Sequence, residues 1–175
     1  MAFPPGLDAL YRRMIDQICS SEDAELCKGI LAVVAAVYQP VTLDELASFV
    51  DMPDGISDDE SLREIIGFCG SFLTLRERTV SFVHQSAKDF LLRKASDEIF
   101  PSRIEDIHHT IFLRSLQTMS RILRRDVYGL GAPGFPIDQI KQPDPDPLAV
   151  AWYSCVYWID HLRDFDSGKN ANEDL

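Results

Sequence analysis

The chain has 175 residues, 17 basic and 28 acidic, which gives a formal net charge of −11. Hydrophobic residues make up 46% of it, enough for a packed core and too many for a disordered chain. The acidic balance disfavours general binding to nucleic-acid phosphates, and no apolar run is long enough to cross a membrane. We therefore expect a globular, cytoplasmic protein without a secretion signal.

The first half of the chain shows apolar residues at helical spacing. The helices predicted from this spacing span 7–19, 22–38, 42–50 and 61–70. Four S/T-x-x-D/E capping boxes mark predicted helix starts, because the hydroxyl accepts a bond from an unpaired backbone N–H of the first turn. The boxes begin at Thr42, Ser61, Ser86 and Ser102. A fifth start is predicted at Asp146-Pro147, where proline occupies the first helical position.

The period changes from 3.6 to 2 at residue 72. Alternating residues over 72–75 and 80–83 flank the polar turn 76–79 and predict a β-hairpin. Three helices followed by a hairpin within about 60 residues form the winged-helix arrangement. The predicted fold class is thus mainly α, a winged helix with flanking helical extensions.

Beyond the hairpin we predict a helix over 86–94 and a long one over 102–125. A Gly/Pro-rich loop over 128–147 follows, and the last helix is predicted over 148–165. The predicted domains are an N-terminal linker helix (1–20), a winged-helix domain (21–96), a helical extension (97–165) and a flexible tail (166–175).

Two apparent motifs for chemistry do not meet their structural requirements, and common metal-ligand motifs are missing from the sequence. Residues 129–134 match G-x-G-x-x-G, but a helix precedes them and prolines follow, whereas a dinucleotide site needs a strand before and a helix after. His84, Ser86 and Asp89 resemble a nucleophilic triad, but Ser86 and Asp89 are better explained as a helix cap. No C-x-x-C or H-x-x-x-H occurs, so the four cysteines are expected to be buried thiols. We predict no catalytic residue and no metal site.

Nucleic-acid binding is the alternative function that a winged helix suggests. The presumptive recognition helix 61–70 carries Arg63 beside Glu64, whereas base recognition requires Arg, Lys, Asn or Gln. The wing adds Arg76 and Arg78. Net charge is −9 over residues 1–60, +3 over 61–141 and −5 over 142–175, so the basic surface is small.

Two further clusters have a structural and a functional interpretation. Arg121, Arg124 and Arg125 fit the C-terminal end of the long helix, where cations complement the helix dipole. Trp152, Val156 and Ile159 share one face of the last helix and fit either the core or, because little chain remains to cover them, a contact with a neighbouring domain.

Several stretches resemble the region that follows the NACHT nucleotide-binding module in fungal NLR-like proteins, which are STAND NTPases that include vegetative and heterokaryon incompatibility proteins. Residues 7–11 (LDALY) and 42–46 (TLDEL) match its first helices, and 80–91 (VSFVHQSAKDFL) is similar to its winged-helix signature. Residues 153–162 (YSCVYWIDHL) look like the helix that this family places before its WD or ankyrin repeats.

The resemblance implies a non-catalytic regulatory segment that docks on the NACHT module and relays its conformational switch in fungal immunity or incompatibility. In related NTPases a histidine at the end of the second wing strand reaches the nucleotide phosphate, and His84 occupies that position. Alternatively, His84 is a partly buried histidine bonded to a nearby carbonyl. The implied partners are the NACHT module and the C-terminal repeats, in cis or in trans. The chain needs no cofactor of its own, because ATP, GTP, ADP or GDP binds only through the NACHT module.

Overall fold

The computed structural model describes residues 6–52, 59–100, 103–131, 134–140 and 143–173, without the side chains of 137 and 168–173. The helices are α1 (Leu7–Cys19), α2 (Ala24–Ala36), α3 (Leu43–Phe49), α4 (Asp59–Phe68), α5 (Gln85–Lys94), α6 (Ser96–Ile99), α7 (Ile104–Ile122) and α8 (Trp152–Glu173). The strands are β1 (Val41–Thr42), β2 (Leu73–Arg76) and β3 (Thr79–Phe82). Short 3₁₀ turns lie at Ile137–Gln139 and Ala149–Ala151.

The elements from α2 to β3 form a winged helix. The strands make one antiparallel sheet in the order β1-β3-β2, with Val41 opposite Val80 and Leu75 opposite Val80 on the other side. The central element is α2, whose residues from Ile30 to Ala36 are all buried. A helix with apolar residues on all sides becomes stable only inside a core, and here α1, α3, α4, α5, α6 and α7 surround it. The predicted fold class is confirmed.

The extension after the wing packs onto the same core. Helices α7 and α8 lie against each other, and α7 also packs on α2 and α3. Its Ile111 and the α8 residue Tyr153 are fully buried within the same core cluster as the winged helix. The predicted domain boundaries stay predictions.

The wing turn is one residue shorter on each side than predicted. β2 and β3 are joined by Glu77 and Arg78 alone, both with positive φ of 48° and 72°. A two-residue turn with positive φ matches the twist of a hairpin, but it is usually marked by Asn or Gly. Because the turn contains neither Asn nor Gly, no local pattern predicts its shorter length.

The capping-box predictions have different outcomes. At Thr42 the box is confirmed: its hydroxyl accepts from the Glu45 N–H, and the Glu45 carboxylate accepts from the Thr42 N–H. At Ser61 the prediction is wrong, since α4 begins earlier, at Asp59, with Asp59 and Glu60 favoured by the helix dipole in the first turn. Ser102 lies outside the described residues, and α7 begins at Ile104.

The box at Ser86 is also wrong. α5 begins at Gln85 with His84 as its N-cap, and no side chain caps it. Ser86 instead shares a 2.9 Å hydrogen bond with the hydroxyl of Tyr11 on α1, a partner 75 residues away. Asp89 accepts from the side-chain amide of Gln85. Long-range pairing therefore outcompeted the local cap.

The bounds of two predicted helices need correction, and two short elements were missed. The helix predicted over 102–125 ends at Ile122, where Leu123 leaves the helical conformation. The last helix, predicted over 148–165, starts with a 3₁₀ turn and then continues to Glu173, because no proline interrupts it and extending a formed helix costs little. The two-residue strand β1 and the one-turn helix α6 were not predicted.

In the part of the chain that the structure describes, no helix is long and apolar enough to cross a membrane.

The α7–α8 interface contains small buried residues, and one of them gives a stability prediction. The Ser154 hydroxyl is fully buried and lacks a hydrogen-bond partner among the described residues. An orphaned buried hydroxyl costs free energy, so Ser154→Ala should raise the free energy of unfolding by about 1 kcal/mol in a urea titration. Ser167→Ala on the same helix is the control, because Ser167 is exposed and donates to the Arg163 carbonyl. If both variants gain equally, helix propensity explains the effect and the prediction is wrong.

Candidate functional site

The residue that the resemblance nominates, His84, lies exposed at the junction of β3 and α5. Its backbone is extended (φ −143°, ψ 145°), and its carbonyl accepts from the Ala87 N–H at 3.0 Å. Its imidazole is exposed and has no hydrogen-bond partner among the described residues. The alternative interpretation, a partly buried histidine bonded to a carbonyl, is therefore wrong. Both ring nitrogens are available to a ligand or a partner.

A small cavity opens beside this junction. It has a volume of about 210 Å³, and its walls come from α2, β3 and α5. The lining includes Tyr38, Pro40, Phe82, Gln85 and Lys88. The Lys88 ammonium donates to the Val37 carbonyl at 3.1 Å, and burial lowers the pKa of Lys88. Beside this cavity residues 83–85 are exposed, whereas Phe82 and Lys88 are half-buried.

The apparent triad is not assembled. Ser86 and Asp89 bond to Tyr11 and Gln85, as described above, and neither contacts the His84 imidazole. Over the described residues, no group of three or more histidine, cysteine, aspartate or glutamate side chains is placed to hold a metal ion.

Backbone N–H groups of the glycine-rich loop are hydrogen-bonded within the chain. The Asp126 carboxylate accepts from the N–H groups of Leu130, at 2.6 Å, and of Gly131, at 2.8 Å. Gly129 and Gly131 have positive φ, as expected of a turn. The N–H groups that would cradle a phosphate are therefore already paired with a carboxylate.

The wing and α4 do not form a basic surface. Arg78 bonds to Asp44 and Asp59, and these two carboxylates raise its pKa above the usual value. Helix α4, the expected recognition helix, has one basic residue, Arg63, and three acidic residues, Asp59, Glu60 and Glu64. Arg78 is therefore held by two carboxylates, and the acids of α4 outnumber its single arginine, which is unfavourable for base readout by this helix. Arg121 lies in the last helical turn of α7, and Arg124 and Arg125 are exposed beyond its end.

The apolar stripe on the last helix is exposed. Trp152, Val156 and Ile159 are 52%, 45% and 49% exposed, and they lie on the side of α8 away from the core. The next residue after Trp152, Tyr153, lies in the core and is fully buried. Of the two interpretations of this stripe, the core is therefore excluded.

A polar network that the sequence did not reveal joins α8 to the winged helix; four of its residues are buried, and two, Tyr38 and Asp164, are exposed at its edge. We call it the polar seam, and it consists of Tyr38, Glu45, His108, Tyr153, His161 and Asp164. The two imidazoles lie with their Nδ1 atoms 2.8 Å apart. His161 Nε2 is 2.8 Å from the Tyr153 hydroxyl, which also accepts from the Tyr38 N–H at 3.1 Å.

The two ends of the polar seam are the carboxylates of Glu45 and Asp164. The Glu45 carboxylate, only 4% exposed, accepts from the Tyr153 N–H at 3.0 Å and from Thr42. The Tyr38 hydroxyl donates to the Asp164 carboxylate at 2.7 Å, and His108 Nε2 lies 3.8 Å from the same oxygen. Burial raises the pKa values of Tyr38 and Tyr153, so both hydroxyls stay protonated donors. No spacing rule predicts a pair of histidines 53 residues apart.

Comparison with known proteins agrees with this geometry. A family model described as "GPI inositol-deacylase, winged helix domain" matches residues 14–101, half of the chain. The chain is 62% identical, over 182 aligned positions, to the vegetative incompatibility protein HET-E-1 of Podospora anserina. The match covers 97% of this chain but only 13% of that relative. No solved structure matches. The sheet order, the buried α2 and the family match together place the chain in this winged-helix domain family.

Proposed function

We propose that the chain is a non-catalytic regulatory segment of a fungal NLR-like incompatibility protein, docking on a NACHT module and relaying its conformational switch. The observation that carries the proposal is the exposed imidazole of His84 at the β3–α5 junction, which has no hydrogen-bond partner in the described part of this chain, itself 62% identical to an incompatibility protein. The nucleotide belongs to the NACHT module, and the chain supplies a contact to it.

The chemistry of this contact is a hydrogen bond to a phosphate. A neutral imidazole donates through one ring nitrogen, and a protonated one donates through both. The hydrogen bond from the Ala87 N–H to the His84 carbonyl fixes the backbone at the start of α5, so the imidazole reaches a phosphate only when the module presents it at that place. Loss of docking on nucleotide exchange then shifts the population of the closed state.

A second surface supports the role of an interaction segment. The exposed α8 side chains Trp152, Val156 and Ile159 form an apolar face on the side opposite the core. We assign this face to the neighbouring WD or ankyrin repeats, because apolar faces of this kind mark contacts with other domains.

The docking proposal predicts a nucleotide-dependent effect of one substitution. His84→Ala should weaken the binding of this chain to an ADP- or GDP-loaded NACHT module about tenfold, the value of one hydrogen bond to a charged phosphate. Binding to the nucleotide-free module should be unchanged. Isothermal titration calorimetry with a NACHT module from a fungal NLR-like protein measures both affinities.

Arg93→Ala is the matched control, because Arg93 is exposed at the opposite end of α5. It should leave both affinities unchanged. Equal affinities of the wild-type and His84→Ala chains for the loaded module would remove His84 from the phosphate contact. Failure of the wild-type chain to bind in either state would overturn the docking proposal itself.

A further inference from the structure

The two histidines of the polar seam share a single proton along their contact. His108 and His161 are buried, and their Nδ1 atoms face each other at 2.8 Å. At this distance one nitrogen donates and the other accepts, so both cannot carry a proton at Nδ1. His108 belongs to α7 and His161 to α8, and both pack against Tyr38 of the winged helix.

The neighbours determine which nitrogen donates. The Tyr153 oxygen accepts from the Tyr38 N–H, so its own proton goes to His161 Nε2. His161 then carries its proton on Nδ1 and donates to His108 Nδ1, which leaves the His108 proton on Nε2, toward Asp164. The hydroxyl proton of Tyr153 and the Nδ1–H of His161 then each face an acceptor, and the His108 Nε2–H lies 3.8 Å from Asp164, but only while both imidazoles are neutral.

An additional proton breaks this arrangement. On His108 Nδ1 it would face the Nδ1–H of His161, and on His161 Nε2 it would face the Tyr153 hydroxyl proton. The charged groups around the pair are mostly acidic. They are Glu45 on α3, Lys88 on α5, Glu105 on α7, and Asp160 and Asp164 on α8.

We propose that the polar seam is an acid-sensitive latch: with both imidazoles neutral it holds α8 on α7 and on the winged helix, and protonation of the pair releases α8. The latch concerns contacts within this chain and does not depend on the docking proposal. It couples the position of the exposed α8 face to proton concentration.

The direction of the pH effect follows from burial. Burial lowers the pKa of His161 to about 3 and also lowers that of His108. In the released state the pKa values of both histidines return toward about 6.5. At a pH between about 3 and about 6.5 the released form therefore binds more protons than the closed form. Falling pH therefore favours release from about pH 6.5 downward, and above pH 7 the latch is closed.

Hydrogen exchange on the whole chain tests the latch. Between pH 7.5 and 5.0, after correction for intrinsic rates, protection of the α8 amides 153–161 should fall about 30-fold, the factor that His161 alone gives. At pH 5.0 the α3 amides 43–49 should remain at least tenfold better protected than those of α8. Equal protection of α3 and α8 at pH 5.0 would mean that only global unfolding occurs, and a pH-independent α8 would mean no latch.

Two matched substitutions separate the seam from other histidines. His161→Gln removes the titrating ring and keeps an acceptor for Tyr153, so the 30-fold change should shrink at least fivefold. His84→Gln, at an exposed histidine outside the seam, should retain the full change. If His161→Gln does not fold, ¹⁵N spectra of the wild-type imidazoles provide the test: at pH 7.5 His161 should carry its proton on Nδ1 and His108 on Nε2. A His161 ring that protonates near pH 6.5 while α8 stays protected would overturn the proposal.

Discussion

Tyr153→Phe is expected to lower the free energy of unfolding by about 2–3 kcal/mol, although it removes a single oxygen atom. The hydroxyl bonds to two groups, the Tyr38 N–H at 3.1 Å and His161 Nε2 at 2.8 Å. Phenylalanine fills the same volume, so packing is kept while both buried groups lose their partner. Urea denaturation followed by circular dichroism measures the change.

Tyr157→Phe is the matched control for this prediction. It lies one turn further along α8, is only partly buried, and its hydroxyl donates to the Gln39 side chain at 3.1 Å. Water can replace that bond, so the loss should stay below about 1 kcal/mol. If both variants lose the same free energy of unfolding, the buried hydroxyl of Tyr153 stabilises the fold no more than an accessible one.

Local signals in the sequence predicted the parts of the fold that are locally determined. The apolar run of α2 and the capping box at Thr42 both depend on residues within one or two turns, and both predictions are confirmed. The bounds of α1 were also predicted correctly, from the helical spacing of its apolar residues. The order of three helices and a hairpin was then enough to predict the winged helix.

The errors occur where distant residues compete with local ones. Ser86 has the sequence of a cap but bonds to Tyr11 of α1. β1 has two residues and exists only because Val41 pairs with Val80. A pattern within a few residues contains neither partner, so these features follow only from the packed structure.

In the candidate site too, local patterns predicted some features and distant contacts determine the others. His84 was nominated from a resemblance, and its role in phosphate contact stays a prediction, whereas its exposure is a structural observation. The polar seam could not be anticipated, because its links join residues such as Tyr38 and Asp164 across 126 positions. The neighbouring residues His108 and His109 point to different partners, because the structure pairs His108 with His161 and stacks His109 on Phe165.

Glu45→Gln tests the other end of the polar seam and should cost about 3 kcal/mol of unfolding free energy. The carboxylate accepts from the Tyr153 N–H, the Thr42 N–H and the Thr42 hydroxyl. A glutamine amide has one oxygen, so its NH₂ group must face a backbone N–H in the core, donor against donor. The substitution therefore weakens both the α3 cap and the attachment of α8.

Asp44→Asn is the control for Glu45→Gln, since it makes the same chemical change at the preceding residue. Asp44 is exposed and pairs with Arg78, which keeps a second carboxylate partner in Asp59. Its cost should stay below about 1 kcal/mol, as for other exposed ion pairs. Urea titrations of both variants give the comparison, and the α8 amides of Glu45→Gln should lose protection before those of α2. If Glu45→Gln costs no more than Asp44→Asn, the buried carboxylate does not hold α8 to the winged helix.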